Sequence, residues 1–323
     1  DAVTGQLQDE IQLPSELAGG TFWKWMALQD GILYALIGGP ELKDEAKRWR
    51  REAHGWPWNA ISRGHNQPVQ SWGFGRSLFA IHPKTKKVLW HHQEDDPIDA
   101  RAVCMNQNRL FAFRFDSFLT CLNAKTGEVI WRRTKEDSPE LFEALGRQLH
   151  RQGWDTNWRT VAFLKCSDDA LYFAGPQVSK LLAISTEDGR VLWEDPYDNY
   201  QLVIRPDGLY AISGPWGQNV SKKFDPLSGE VLAELPVGRR ACTRPTGTCD
   251  SILFRAMGGS VRYDVDSAQP RWVSPMRPPC HDGVTVANGQ LYWWPYVCDC
   301  QISLYGVTSV GSAGEFNFKA DVD

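Results

Sequence analysis

The sequence predicts an all-β fold, a β-propeller of four-stranded blades, and two alternating sequence patterns predict it. One is a tight turn followed by an aliphatic-aromatic pair: QDGILYAL (29–36), QNRLFAF (107–113), DDALYFA (168–174), PDGLYAI (206–212), CDSILFR (249–255) and NGQLYWW (288–294). The other is a strand, a polar turn and a second strand, usually closed by Trp. It reads AIHPKTKKVLW (80–90), CLNAKTGEVIW (121–131), AISTEDGRVLW (183–193), KFDPLSGEVLA (223–233) and RYDVDSAQPRW (262–272). The closing positions are 90, 131, 193, 233 and 272, so the steps between them are 41, 62, 40 and 39 residues. A unit of about 40 residues with two hairpins is one propeller blade, and the long step holds an insertion. Short apolar strands bounded by Gly, Asp and Asn turns agree with this.

A lone four-stranded blade cannot bury both faces, so blades must stack radially, with large side chains filling the seams. Trp90, Trp131, Trp193 and Trp272 are therefore expected in the seams. Ala233 breaks the pattern, so another group must pack that seam. The opening DAVTG (1–5) matches NAKTG (123–127), which implies that the chain begins inside a blade. The count is six full blades and a half, within a complete ring of seven or eight. Residues 1–323 are expected to form one propeller domain of a longer polypeptide, interrupted by insertions at 38–76 and 134–158.

Composition narrows the partners. The chain has 42% hydrophobic and 23% charged residues, enough apolar material for a core. A formal net charge of -4 argues against a nucleic-acid partner. No apolar run reaches the roughly 20 residues of a membrane helix. Fifteen Trp match a repeated packing position. The eight Cys could pair in an oxidising environment, bind metal or sit buried, and composition as a whole leans towards an exported protein, periplasmic or extracellular.

The repeat resembles that of pyrroloquinoline-quinone dehydrogenases and of the outer-membrane assembly lipoprotein with the same propeller. The stretches RRACTRPTG (239–247), SPMRPPCHDGV (274–284) and LYWWPYVCDCQISLYG (291–306) look closer to large planctomycete propeller proteins. The resemblance implies the fold over most of the chain. Quinone enzymes of this kind stack the cofactor between a Trp and a disulfide of adjacent cysteines, with calcium held by acidic and amide side chains. Here there is no Cys-Cys pair, and Cys298-Asp299-Cys300 is only a loose analogue.

In a blade with strands A to D, the B–C and D–A connections leave by one face. Both insertions, SGPWGQNVS (213–221) and VCDCQ (297–301) belong to that face, while the A–B and C–D turns are minimal. PELKDEAKRWRREAHG is predicted to be a charged helix ending at Gly55. In SPELFEALGRQLHRQG, Ser138 is the expected N-cap and Pro139 the first helical residue, with Leu141, Leu145 and Leu149 on one apolar face. Loops on a rigid scaffold usually carry binding.

Segments leading into the innermost strands should ring the channel mouth on this decorated face. They contain Asp99, Arg101, Asn157, Arg159, Arg239, Arg240, Arg244, His281 and Asp282. Such arginines suit a carboxylate or phosphate ligand, or they pair with nearby Asp to order the loops. Cys280, His281, Cys298 and Cys300 belong to the decorated side of the same last blade and could come close together. They could hold zinc or copper, or form a disulfide from Cys280 to Cys298 or Cys300. Cys242 and Cys249 could also bridge, while Cys104, Cys121 and Cys166 read as small buried hydrophobes. His91 and His92 follow a blade-closing strand and are expected in solvent. There is no CxxCH, Gly-rich phosphate loop, GxSxG or HExxH.

Three functions follow as expectations. The first is a non-catalytic binding scaffold in an exported multidomain protein, contacting other domains or a protein partner through the decorated face. The second is a redox or electron-transfer domain holding pyrroloquinoline quinone or a Cys/His-ligated metal. The third is a hydrolase or lyase working at the channel mouth.

Overall fold

A computed structural model describes residues 1, 3–18, 20, 22–39, 74–106, 108–114, 117–145, 163–174, 180–196, 199–214, 220–240, 243–256, 259–274, 276–278, 283–294 and 306–311. The chain is a β-propeller. Its first sheet is β1 (Phe22–Gln29), β2 (Ile32–Gly38), β3 (Phe74–His82) and β4 (Lys87–Asp99). The second is β5 (Val103–Met105), β6 (Arg109–Arg114), β7 (Phe118–Asn123) and β8 (Val129–Thr134). The third is β9 (Phe163–Cys166), β10 (Ala170–Ala174), β11 (Lys180–Ser185) and β12 (Val191–Pro196). The fourth is β13 (Gln201–Arg205), β14 (Gly208–Ile212), β15 (Ser221–Phe224) and β16 (Val231–Leu235). The fifth is β17 (Thr246–Gly247), β18 (Ser251–Arg255), β19 (Ser260–Asp264) and β20 (Gln269–Ser274). The sixth holds β21 (Thr285–Ala287), β22 (Gln290–Trp293) and β23 (Thr308–Gly311).

Every pairing is antiparallel between strands consecutive in sequence. Neighbouring sheets bury their facing side chains in shared clusters, as stacked blades must. Most of the first insertion lies outside the described residues, including the helix predicted at its start. The second insertion begins with a helix, Pro139–Ala144, that follows Ser138 and buries Leu141 and Phe142, with Leu145 just beyond it, against the second and third sheets. Ser138 makes no side-chain cap. Its hydroxyl donates to Asp137 Oδ1 at 2.7 Å instead. Leu149 lies outside the described residues. A four-residue helix, Ser15–Ala18, has no counterpart in the sequence pattern.

Three indoles tie consecutive sheets together. Trp90 Nε1 donates to Ala124 O at 2.8 Å, Trp131 Nε1 to Thr186 O at 2.9 Å and Trp193 Nε1 to Pro226 O at 3.0 Å. Each acceptor is the second residue of the C–D turn in the next sheet. The glycine closing that turn, Gly127, Gly189 or Gly229, has φ of 73–75° and lies against the same indole. A Cβ there would come within 2.6–2.9 Å of the ring.

The turns that receive no indole from the described residues show which demand is decisive. Lys86 (φ 60°) and Ala268 (φ 54°) occupy the same turn position in the first and fifth sheets. The left-handed backbone therefore accepts a side chain here, at a cost of about 1–2 kcal/mol. Contact with tryptophan is what excludes one. The fifth-sheet turn faces the seam in which Ala233 replaces Trp. There the ring of Tyr210 meets Lys223 Nζ at 5.2 Å and the Arg205 guanidinium at 5.9 Å. Its counterparts Tyr34, Phe111 and Tyr172 instead meet an indole, at 6.1, 6.1 and 6.3 Å. Tyr263 and Val265 complete the packing of that seam.

Trp272 is 61% exposed, and the residues that follow the third strand of the sixth sheet, where a C–D turn would face its indole, lie outside the described residues. The Asp1–Gly5 turn is a genuine copy of Asn123–Gly127. Asp1 Oδ1 accepts from the amides of Val3 and Thr4, as Asn123 Oδ1 does from Lys125 and Thr126. Gly5 and Gly127 both donate back to the first residue of their turn. The residues after Gly5 form no strand among the described residues, but Ile11 and Leu13 pack on the first sheet and Asp9 pairs with Lys86.

Candidate functional site at the central channel

The first strand of each sheet faces the axis, so the loops that enter those strands bring charged groups together. Asp99, at the end of β4, caps a short 3-10 turn (Ala100–Ala102) by accepting from the Arg101 amide at 3.0 Å. The same carboxylate takes both ends of the Arg101 fork, from Nε at 2.8 Å and Nη2 at 2.5 Å. Both side chains are largely buried, and Arg101 Nη1 is buried without a hydrogen bond. The turn touches β1, β6 and β9, so this ion pair fixes the crossing from the first sheet to the second.

Arg239 is 2% exposed and donates from Nη2 to Asn199 O at 2.6 Å, against the face of Gly214. The Arg239 and Arg240 amides donate to Ser213 O and Arg255 O, which joins the fourth and fifth sheets. Arg240 is exposed and Arg244 half-buried. The Arg244 carbonyl packs against Gly283, whose φ of 69° and lack of Cβ permit that approach. Asn157, Arg159, Cys280, His281, Asp282, Cys298 and Cys300 lie outside the described residues, as does Cys242. Cys249 is an exposed free thiol.

The cavity outlined by the described residues lies at the other end of the channel, among the A–B turns. It measures about 700 Å³, and its wall includes Cys104, Lys165, Cys166, Arg205, Asp207 and Cys249. Lys165 was not singled out in the sequence, because a lysine within an inner strand looks like any solvent-facing residue. Only the packing of β9 beside β5 and β13 turns that position inward. Its ammonium donates to Leu202 O at 2.6 Å, and burial, with Arg244 nearby, pulls its pKa down to about 8.

Asp207 organises the rim. It accepts from Arg205 Nε at 3.0 Å, Tyr210 Oη at 2.6 Å and Lys223 Nζ at 2.8 Å. Burial pushes its carboxyl up, but the bonds from Lys223, Tyr210 and Arg205 outweigh burial and hold it at about 2. Arg205 also reaches Thr248 O and Cys249 O in the fifth sheet. The Asp207→Asn variant should therefore lose about 1 kcal/mol at neutral pH, a figure kept small because the carboxylate is partly open to water. The folded pKa is depressed below the ordinary 3.8, so this contribution is complete above that value and fades as pH falls towards 2. Denaturant titrations of wild type and variant between pH 2 and 6 should converge at the acid end.

His91 and His92 are part of a longer strand than expected, since β4 runs on to Asp99. His91 stacks on Phe79 at 4.4 Å, and His92 Nε2 lies 2.9 Å from Glu94 Oε1. Glu94 also binds Arg132 of the second sheet, so His92 is fixed in a network rather than free in solvent.

A family model described as "Outer membrane protein assembly factor BamB" matches residues 75–294. A quinoprotein ethanol dehydrogenase of Pseudomonas putida is 39% identical over 56 residues, 17% of this chain and 9% of that protein. The quinoprotein alcohol dehydrogenase PedH of Pseudomonas putida is 24% identical over 156 residues, 46% of this chain and 24% of that protein. The chain thus spans a quarter or less of the length of these curated relatives. Among solved structures, the computationally designed Ika8 protein gives a TM-score of 0.51 at 10% identity, covering 84% of this chain and 68% of that one. BamB from Moraxella catarrhalis gives 0.49 at 12% identity, covering 94% and 90%.

Proposed function

The chain belongs to the outer membrane protein assembly factor BamB family, and from that premise we propose that it is a non-catalytic binding and scaffold propeller. It works within an exported multidomain protein, in the periplasm or outside the cell, and its decorated face contacts other domains or a protein partner. No helix among the described residues is long and apolar enough to cross a membrane. One observation carries the proposal. Three of the described charged groups of the channel mouth hold the fold: Asp99 and Arg101 neutralise each other, and Arg239 is buried against a backbone carbonyl.

A redox domain is the second reading, favoured by the local matches to quinoprotein dehydrogenases. The described residues do not fit a quinone held over calcium. Among them, no three His, Cys, Asp or Glu side chains converge on one point, and the channel cavity has no indole in its wall. The test is to incubate the full-length protein with pyrroloquinoline quinone and calcium, desalt it, and record the absorption spectrum and dye-linked alcohol oxidation. A scaffold should retain no chromophore and show no turnover. Near-stoichiometric retained quinone would overturn the proposal and put the redox domain first.

A further inference from the structure

We propose that Cys104 and Cys166 are a redox pair that closes into a disulfide between the second and third sheets at the channel wall, with a small-molecule disulfide as oxidant. Their placement is what carries this. Cys104 pairs with Phe111, which pairs with Cys121, which pairs with Trp131. Residues directly opposite in a sheet share a face, so this row points at one neighbour. Cys166, Leu171 and Ile184 form the corresponding row of the third sheet. Both rows pack into one cluster, so they face each other. The two thiols stand at the inner ends of these rows, and both line the channel cavity. Burial, with the Cys166 thiol beside it, pushes the Cys104 thiol's pKa well up.

Cys121 does not compete for Cys104. Cys121 is separated from Cys104 by the whole of β6, roughly 9–10 Å, beyond the reach of a disulfide. The strands are also held in place around the pair. Asn106 Nδ2 bonds Ser167 O and Asp168 O, both at 3.4 Å, and Trp131 ties the outer part of the seam to Thr186.

The chemistry is thiol–disulfide exchange. Burial pushes the Cys104 thiol well up, which leaves Cys166 to attack first. Its thiolate breaks the S–S bond of glutathione disulfide, forming a mixed disulfide, and the departing glutathione takes the proton that Cys166 released. The Cys104 sulfur then attacks the Cys166 sulfur, and the second glutathione leaves with the Cys104 proton. Two electrons pass from the protein to the oxidant, and one bond forms between Cys104 and Cys166. The closed loop spans 104–166 and contains the second insertion, so oxidation clamps the seam from which that insertion rises.

Peptide mapping of the full chain, equilibrated in glutathione buffers and alkylated without reduction, tests the proposal. Oxidised protein should give one peptide pair linked through Cys104 and Cys166, with a thermal midpoint about 5 °C or more above the reduced form. Cys104→Ser should instead trap Cys166 as its glutathione adduct, while Cys166→Ser should leave Cys104 unmodified. Full alkylation of both residues in the most oxidising buffer, or a link from either to another cysteine, would overturn it. The wild-type map decides this even if a variant fails to fold.

Discussion

Replacing Trp193 with alanine should destabilise the protein by about 3–5 kcal/mol, the range for removing a large buried aromatic. Its indole is 9% exposed, stacks on Phe224 at 5.3 Å and presses on Gly229 of the next sheet. Truncation empties that seam, and Gly229 cannot move to fill it because its turn is fixed by bonds from Leu227 and Ser228 to Asp225. The lost hydrogen bond is a smaller part, about 1 kcal/mol, because Tyr172 Oη still donates to Pro226 O at 3.1 Å. Trp193→Phe should consequently recover more than half of the loss. Trp272→Ala is the matched control. The same repeat position with 61% exposure should cost no more than about 0.5 kcal/mol. Denaturant titration of the three variants checks this, and equal losses at Trp193 and Trp272 would mean that a further turn covers the second indole in the whole protein.

The second large effect is expected at Glu94. This carboxylate is 5% exposed and joins the first two sheets, accepting from Arg132 Nη1 at 2.7 and 2.8 Å while Arg132 lies over Phe118 at 4.2 Å. Breaking a buried pair by removing one partner costs about 3–5 kcal/mol, and the partial exposure of Arg132 reduces this to about 2–3 kcal/mol for Glu94→Gln. Burial raises the Glu94 carboxyl, but the hydrogen bonds from His92 and Arg132 outweigh it and leave the pKa below the ordinary 4.5. A depressed folded pKa stabilises above the unfolded value and stops doing so as pH falls through the folded one. The difference between wild type and Glu94→Gln should therefore be constant from neutral pH to about 4.5 and shrink below it. A difference that persists at pH 2 would assign the loss to packing instead of charge.

Much of the fold was legible because the repeat has a physical period. A turn at Asp30-Gly31, Pro206-Asp207 or Asn288-Gly289 followed by an aliphatic-aromatic pair marks the first hairpin, and the structure pairs strands across each of these. The helix beginning at Pro139 was legible from the spacing of Leu141 and Leu145, which one face must bury. The candidate site was less so. Asp99 and Arg101 are separated by one residue and could have pointed apart. The 3-10 turn between them makes them a pair. Lys165, Arg205 and Cys104 carry no motif, since their setting depends on strands from other blades.

The sequence by itself determined the blade, its turns and the aromatic that closes it, because each of those is settled by contacts within about 40 residues. It also marked Ala233 as a place where another solution was needed. Only the tertiary structure decided what that solution is, a Tyr210 ring held under Lys223 and Arg205. Only the tertiary structure distinguished Trp193 from Trp272, and only it set Cys104 opposite Cys166. A repeat specifies what each blade presents at its edges and faces. What those faces meet depends on the neighbouring blade, and one blade's sequence does not contain the other side of its own seam.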